Sequence, residues 1–258
     1  LARHYEQYLN DLNTRLVENS DLLKRHNRAL LEFMDVATHQ LQSPLWSILG
    51  FVSKMQRRYY DTLDDYGRHC LNRISVNVSD MHQLIEDVTT MMIIDQRTMA
   101  EKELYLYELV DQAAARVCDE VDKDFYCSYP GEMNALVIKG DPQHLKQLLY
   151  QILKNSAQYT DNNAHGEVDI ETSFNDKFHL FIHDRGIGID ARYRELVFKP
   201  LERLKEKDVS GSGMGLTFAR RIVRAHGGDI GIEDGKGGRG ICLHIILPPG
   251  MVFEKRNE

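Results

Sequence analysis

The sequence lacks an excess of positive charge and lacks any long apolar run. Its 258 residues carry a formal net charge of -7 and a sequence pI near 5.9, whereas a nucleic-acid-binding domain needs a basic face. The stretch VTTMMII at 88–94 is among the longest apolar runs, and it is far shorter than the roughly 20 residues of a membrane-spanning helix. No secretory leader or lipidation motif is visible. We therefore expect no nucleic-acid partner and no membrane span within these residues.

Cysteine is scarce, and no cysteines stand in a metal-binding motif. Cys70, Cys118, Cys127 and Cys242 form no C-x-x-C pair, which argues against a zinc site and against a disulfide framework. Reduced thiols are typical of a cytoplasmic protein, which is the location we expect. With 42% hydrophobic and 28% charged residues, the chain can form a packed core, and wholesale disorder is not expected.

Residues 1–37 carry an apolar repeat whose spacings alternate between four and three residues. This period is that of a coiled coil rather than of an ordinary surface helix. Leucine dominates one seam position, whereas Asn19 and His26 in the other favour a fixed register and a low oligomer number. We predict a parallel dimer, with a single long helix packed on its own domain as the alternative. The seam residues are Tyr5, Leu12, Asn19, His26 and Phe33, and Leu9, Leu16, Leu23, Leu30 and Ala37.

Residues 38–97 predict an antiparallel helical hairpin. The first helix is expected to continue to about Tyr59, and YYDTLDDYG reads as the connection. A second helix over about 64–96 is indicated by apolar residues at helical spacing, among them Leu71, Val78 and Ile85. Two such hairpins in a dimer would form a four-helix bundle.

Residues 98–253 change in character and predict an α+β layer domain. ELYLYELVDQAAARVCDEV reads as a short strand and a helix, and FYCSYP and NALVIKGD read as strands. A strong amphipathic helix follows Asp141 as its cap, with Pro142 in its first turn. EVDIETSF and FHLFIHDRG predict a hairpin of strands, SGMGLTFARRIVRAHGG predicts a helix ended by glycines, and GICLHIILP predicts a final strand.

A histidine and a proline lie inside the first long helix, in THQLQSPL at 38–45. Pro44 cannot donate a hydrogen bond to the carbonyl of Gln40, and proline inside a helix costs roughly 3 kcal/mol. His39 follows the seam residue Ala37 by two positions, so it points away from the seam. A lone histidine is more often an ordinary surface residue, but an exposed imidazole is a competent nucleophile near neutral pH.

Three features of the second half suggest ligand binding, and each is weak alone. DRGIGID at 184–190 places Asp184 at the end of an apolar strand, where it could accept a hydrogen bond from an amino group, before glycines that permit close approach. GSGMGL at 211–216 opens a helix, whose free N–H groups favour an anion. Asn155 offers an amide oxygen of the kind that suits magnesium held mainly by substrate phosphates.

Taken in order along the chain, these motifs resemble those of sensor histidine kinases, whose ATP-binding domain has the Bergerat fold. The resemblance rests on the histidine box, the helix asparagine, D-x-G-x-G, the phenylalanine in VFKPLERL and G-x-G-x-G-L. It implies a fold of coiled coil, dimeric four-helix bundle and α/β-sandwich ATP-binding domain, over 1–37, 38–97 and 98–253. The implied nucleotide-binding residues are Asn155, Tyr159, Asp184, Gly186, Gly188, Phe198, Gly211, Gly213, Met214, Gly215 and Leu216.

The resemblance also implies a reaction and partners. His39 would take the γ-phosphate of ATP, with Gln40 and Ser43 beside it in the catalytic box, and Asn155 would hold Mg²⁺. The implied partners are a second copy of the chain, the receiver domain of a response regulator, and an upstream sensor domain that could be membrane-attached. Because the chain begins at Leu1 within a helical pattern, we expect it to be part of a longer protein.

Three glutamines depart from the family pattern. Gln40 replaces the usual acid after the histidine, and an amide is a poor general base. Gln151 replaces the first asparagine of its box, and Gln158 replaces a cation that faces the phosphates in relatives. Four other basic residues are candidates to replace that cation: Lys154, His144, Arg203 and Lys205.

The sequence also allows two functions other than that of an active histidine kinase. A degenerate kinase would act mainly as a phosphatase, a scaffold or a dimer partner, and the three glutamines motivate that alternative. Another ATPase of the same fold is the third possibility, and the histidine–proline box after a coiled coil argues against it.

Overall fold

The computed structural model describes residues 2–96, 100–121, 125–160, 166–202, 204 and 212–255. The chain divides into two compact units, 1–92 and 93–258. The predicted boundary between the coiled coil and the hairpin, at residues 37/38, lies inside one continuous helix and stays a prediction.

The N-terminal unit is built from two long helices. Helix α1 spans Ala2–Tyr59 and helix α2 spans Asp65–Gln96, with a 3₁₀ turn at Tyr60–Thr62 between them. The Asp64 side chain accepts a hydrogen bond from the Gly67 N–H at 2.7 Å and so caps the start of α2. The predicted ends of both helices are confirmed to within a residue.

The two helices run antiparallel, because later residues of α1 contact earlier residues of α2. The Trp46 ring lies 4.6 Å from the His82 ring, whereas Gln56 Nε2 donates to Asn72 Oδ1 at 3.3 Å. The packed face of the hairpin is formed by Leu45, Leu49, Val78 and Ile85. The predicted helical hairpin is thus confirmed.

The apolar seam of the first 37 residues is exposed on the single chain. Leu16, Leu23 and Leu30 have 60%, 68% and 55% of their surfaces exposed, and Phe33 has 70% exposed. Such a row of large apolar side chains is unusual on a monomer, and it indicates a surface that another molecule covers.

Within its described residues, the C-terminal unit combines two sheets with three α-helices. The elements are β1 Lys102–Tyr105, α3 Leu106–Glu120, β2 Phe125–Ser128, β3 Leu136–Gly140, α4 Pro142–Gln158, β4 Gly166–Phe174, β5 Phe178–Asp184, α5 Gly215–Ala225, β6 Asp229–Asp234, β7 Ile241–Leu247 and β8 Val252–Glu254. The five-stranded sheet has the order β2-β4-β5-β7-β6, and the three-stranded sheet has the order β1-β3-β8.

The core of this unit lies between the helices and one face of the five-stranded sheet. Along β5, Phe178, Leu180, Ile182 and Asp184 are buried, and the residues between them are partly exposed. This alternation is that of a strand with one covered face. Fully buried side chains of α3, α4 and α5 complete the core, among them Val110, Val117, Ile152, Leu153, Phe218 and Ile222.

The sequence prediction missed two strands. The predicted hairpin of β4 and β5 is confirmed, with Phe174 paired to Phe178. However, β7 is not the final strand, because β8 follows it and pairs with β3. Strand β6 was also missed, since only Ile230 and Ile232 of its six residues are buried apolar side chains.

Within the described residues, no helix is both long enough and apolar enough to cross a membrane.

Candidate functional site

Asp184 is a buried carboxylate held at the end of the central strand β5. Its side chain is 8% exposed, and its Oδ1 accepts hydrogen bonds from the N–H groups of Gly186 at 3.0 Å and Ile241 at 2.8 Å. Oδ2 takes part in neither bond. Burial raises the pKa of Asp184 above its ordinary value, against the opposing effect of the two hydrogen bonds. The geometry fixes one oxygen and orients the other.

Glycines surround Asp184 where a side chain would not fit. Gly240 has a φ of +65°, and a Cβ on it would overlap the carbonyl and Oδ1 of Asp184. A Cβ on Gly186 would lie 3.0 Å from the Tyr159 carbonyl oxygen. Gly188 has a φ of +76°, which side chains rarely tolerate. Sequence reasoning missed Gly240, because its role depends on the pairing of β5 with β7.

The C-terminal end of α4 meets the loop after β5. Tyr159 caps α4, and its carbonyl accepts a hydrogen bond from the Ile187 N–H at 3.2 Å. Tyr159, Gly186 and Asp184 are therefore neighbours in the structure.

The side chains of Gln151 and Asn155 lie against the start of α5. A Cβ on Gly215 would lie 3.0 Å from Gln151 Oε1 and 3.2 Å from Asn155 Oδ1. Gln151 is buried and Asn155 is half-buried. Only a residue without a side chain at position 215 allows this approach, so the glycine-rich start of α5 and Asn155 form one surface.

The first turn of α5 is fixed by its own loop. Gly213 has a φ of +73°, and the Met214 N–H donates to Ser212 Oγ at 3.2 Å. Met214 is buried and Leu216 is half-buried. Gly211 lies outside the described residues, so its predicted role stays a prediction.

Phe198 is tied to α5 from the other side. It is buried, its carbonyl accepts a hydrogen bond from Thr217 Oγ1 at 3.1 Å, and the Arg220 guanidinium lies 3.7 Å from its ring centroid. Arg220 also donates to both carboxylate oxygens of Glu195, at 2.8 and 3.1 Å, and this interaction lowers the pKa of Glu195. Phe198 is thus anchored to α5, the helix that begins with Gly215.

Two of the four basic residues considered as replacements for the missing cation, Lys154 and His144, lie in described parts of the chain. Lys154 Nζ lies 3.1 Å from Glu120 Oε2 and 2.8 Å from the Tyr150 hydroxyl. His144 lies in the first turn of α4, about 16 Å along the helix from Asn155 at about 1.5 Å per residue. The contacts of Lys154 and the position of His144 do not favour either of them as the missing cation, and Arg203 and Lys205 lie outside the described residues.

In the N-terminal unit, His39, Gln40 and Ser43 are all exposed on α1. The helix continues through Pro44, and the carbonyl of Ser43 accepts a hydrogen bond from Ser47 Oγ at 3.2 Å. His39 and Ser43 are separated by one helical turn and share a face. An imidazole that is accessible on a rigid helix can reach a second reactant.

Two family models match the chain, one on each unit. Residues 140–251 match the histidine kinase-, DNA gyrase B- and HSP90-like ATPase family, and residues 29–97 match the His kinase A phosphoacceptor domain. The chain belongs to the sensor histidine kinases. The C-terminal unit, which contains Asp184, Asn155 and the glycines, thus matches an ATPase family, and this match supports ATP binding by the unit.

Curated relatives match most of this chain over a part of their own, longer sequences. The phytochrome-like protein Cph1 of Synechocystis sp. is 27% identical over 88% of this chain and 30% of its own length. The signal transduction histidine-protein kinase AtoS of Escherichia coli is 28% identical over 84% of this chain and 34% of its own. The chain spans about a third of the length of such relatives.

A solved structure shares the fold of this kinase chain. Full-length ShkA, determined in complex with AMPPNP, superposes with a TM-score of 0.60 at 19% identity, over 88% of this chain and 47% of that one.

Among the described residues, no group of three or more His, Cys, Asp or Glu side chains is arranged to hold a metal ion.

Proposed function

We propose that this chain is the core of a sensor histidine kinase that phosphorylates itself on His39 with ATP and then transfers the phosphoryl group to a response-regulator aspartate. The observation that carries this proposal is that two pairs, Asp184 with Gly186 and Asn155 with Gly215, both lie at the C-terminal end of α4, in a chain whose other unit exposes His39.

Asp184 is the adenine anchor in this proposal. Oδ2 would accept a hydrogen bond from the exocyclic amino group of adenine, while Oδ1 stays bonded to the backbone. A hydrogen bond to a charged acceptor contributes about 1.5–3 kcal/mol, and the buried setting excludes competing water. The glycines let the base and the sugar lie against the backbone.

The residues at the start of α5 fit a magnesium-bound triphosphate. Asn155 would contribute an amide oxygen to Mg²⁺, which proteins commonly bind through few side chains and the phosphates of the substrate. When bound, Mg²⁺ neutralises charge on the phosphates. The N–H groups at the start of α5 add favourable interactions with the same anion.

The reaction is a displacement at the γ-phosphorus. A lone pair of the His39 imidazole forms the new N–P bond, the bond from the γ-phosphorus to the bridging oxygen breaks, and ADP leaves. The imidazole proton passes to water, because His39 is exposed and the amide of Gln40 is a poor base. A receiver aspartate would then accept the phosphoryl group through a carboxylate oxygen, and Ser43 lies one turn from His39 to orient a water for its later hydrolysis.

We also propose that the kinase works as a homodimer in the cytoplasm, controlled by a sensor domain upstream of Leu1. The exposed leucine seam supports the dimer. ATP and receiver domains are both cytoplasmic, which supports the location.

The test is incubation of the purified chain with γ-labelled MgATP, beside His39→Ala and Asp184→Asn. We expect acid-labile label on the wild-type protein and none on either variant. Label that persists in His39→Ala would contradict the assignment of the acceptor. A wild-type chain that binds ATP but takes no label would favour the phosphatase or scaffold function.

The glutamine beside the acceptor gives a second test. General-base assistance contributes about 10²–10⁴-fold to proton transfer, so Gln40→Glu should raise the initial rate of labelling at least tenfold. Gln40→Ala serves as the control and should change the rate much less. An unchanged rate in Gln40→Glu would show that proton removal does not limit the reaction.

A further inference from the structure

Helices α4 and α5 run antiparallel and meet at both ends. At one end, Asn155 of α4 lies against Gly215 at the start of α5, within the nucleotide site. At the other end, Asp141 at the start of α4 lies beside His226 at the end of α5. His226 is about 16 Å from Gly215 along α5 at about 1.5 Å per residue, so this second contact is remote from the nucleotide.

The hydrogen bonds of His226 define its protonation state. Nδ1 lies 2.8 Å from the Ile222 carbonyl oxygen, which can only accept, so Nδ1 carries the proton. Nε2 accepts a hydrogen bond from the Asp141 backbone N–H at 3.3 Å, so Nε2 carries a lone pair. A neutral imidazole with the proton on Nδ1 satisfies both partners at once.

The surroundings of His226 are built around this ring. His226 is 9% exposed, and its ring meets the His144 ring edge-on at a centroid distance of 6.0 Å. A Cβ on Gly140 would lie 2.8 Å from His226 Nε2, so glycine at 140 makes room for the bond to Asp141. A buried ring with two directed bonds fixes position more strictly than an apolar contact does.

Asp141 extends the same contact to the segment that enters the sheet. Its Oδ1 accepts from the N–H groups of Gln143 and His144, at 2.9 and 3.2 Å, and its Oδ2 accepts from the Ala100 N–H at 3.2 Å. Although burial acts to raise it, these bonds lower the pKa of Asp141 below its usual value. One residue thus joins the start of α4, the end of α5 and the chain before β1.

We propose that His226 is a positioning residue, which holds α4 and α5 in the register that brings Asn155 against the glycine box and so sets the affinity for ATP. The inference rests on the proposed nucleotide site. Loss of the remote contact lets α5 shift along or away from α4, and the surface between Asn155 and Gly215 then loses its fit to the triphosphate.

The experiment compares three variants of the full chain by ATP affinity and by melting temperature. His226→Phe keeps a flat aromatic ring and removes both hydrogen bonds, whereas His226→Gln keeps an acceptor for the Asp141 N–H. Val252→Ala removes buried volume from β8 in the small sheet, and it serves as the matched stability control. All affinities are measured at a temperature where each variant is folded.

We expect His226→Phe to raise the Kd for ATP at least tenfold, and His226→Gln to restore it to within about threefold of the wild type. Val252→Ala should lower the melting temperature but leave the Kd within twofold. An unchanged Kd in folded His226→Phe would overturn the proposal, as would a Kd in Val252→Ala that rises in step with its loss of stability. If His226→Phe does not fold, Gly140→Ala displaces the same ring and should raise the Kd.

A readout without nucleotide separates this inference from the proposed function. We expect the amides of residues 212–218 to exchange hydrogen faster in His226→Phe than in Val252→Ala. Equal exchange would overturn the positioning role even if the wild-type chain bound no ATP. Failure of the wild type to bind ATP, with faster exchange in His226→Phe, would contradict the proposed function alone.

Discussion

The two units of this chain differ in how much of their apolar surface they bury themselves. In the C-terminal unit, large side chains such as Phe178 and Phe218 are almost fully buried between the sheet and the helices. In the N-terminal unit, Leu23 and Phe33 keep 68% and 70% of their surfaces exposed. The C-terminal unit therefore covers these large apolar side chains within one chain, whereas the exposed seam of the N-terminal unit indicates a surface that another molecule covers.

This difference fits a division of labour. A nucleotide site needs fixed geometry, and the C-terminal unit holds Asp184 with two backbone hydrogen bonds, next to Gly186 and Gly240. A phosphoacceptor needs access, and α1 presents His39 on an exposed face. The comparison therefore predicts that each unit can be disturbed without the other.

Disrupting the seam should have the largest effect. Leu23→Asn places a polar group in the proposed interface in both copies, and losing two buried leucines costs about 3–6 kcal/mol. We expect sedimentation to show a dimer dissociation constant raised at least a hundredfold, with ATP affinity unchanged. Glu18→Gln, at an exposed position beside the seam, is the control. A Leu23→Asn chain that stays dimeric at the same concentrations would contradict the coiled-coil prediction.

Neutralising the adenine anchor should affect only the C-terminal unit. Asp184→Asn removes the charge and replaces one acceptor by a donor, which costs about 1.5–3 kcal/mol of binding. Calorimetry should show ATP affinity lowered at least tenfold, while the dimer dissociation constant stays the same. Wild-type affinity in this variant would exclude Asp184 as the anchor.

Glycine at position 240 should matter for stability as well as for the site. Gly240→Ala would meet Asp184 in a backbone conformation with φ of +65°, which costs roughly 1–2 kcal/mol. Gly231→Ala is the control, since no atom lies within 4 Å of its new Cβ. Thermal unfolding should show a clear loss for the first variant and little change for the second. Equal melting temperatures would mean that the loop adjusts freely.

The pH dependence of binding should give the smallest effect. Only the carboxylate form of Asp184 can accept from adenine through Oδ2, and burial raises its pKa above the usual value. Affinity for ADP should therefore fall on acidification, beginning at a higher pH than an exposed aspartate would produce. For folding the sign is opposite, because a raised pKa makes the folded state gain stability as the pH falls through it. In Asp184→Asn, both the pH dependence of ADP affinity and the pH dependence of folding stability should weaken.

Local patterns were sufficient to predict most of the fold. The heptad and the period of α2 predicted both long helices, and Asp141 before Pro142 predicted the start of α4, where the side chain does accept two backbone hydrogen bonds. Strand β6 was missed because only Ile230 and Ile232 in it are buried apolar side chains, and β8 was missed because so short a strand depends on its partner. The three residues of β8 gain their order from pairing with Leu136–Ile138.

For the candidate site, the sequence motifs named residues but not the contacts between them. They named Asp184, Asn155 and the glycines of 211–216 as candidates, and the roles of these residues stay proposals. No local pattern indicated that Gly240 meets Asp184, or that Arg220 covers Phe198, because strand pairing and helix packing create those contacts. The same limit explains why Lys154 was considered as a phosphate ligand, although it pairs with Glu120 across α3 and α4.

The most direct test of the division of labour measures bound ATP and acid-labile phosphate on the same samples of His39→Ala and Asp184→Asn. We expect His39→Ala to bind ATP within twofold of the wild type and to take up no acid-labile phosphate, whereas Asp184→Asn should lose both ATP binding and acid-labile phosphate. Labelled His39→Ala, or wild-type binding in Asp184→Asn, would contradict the division of labour.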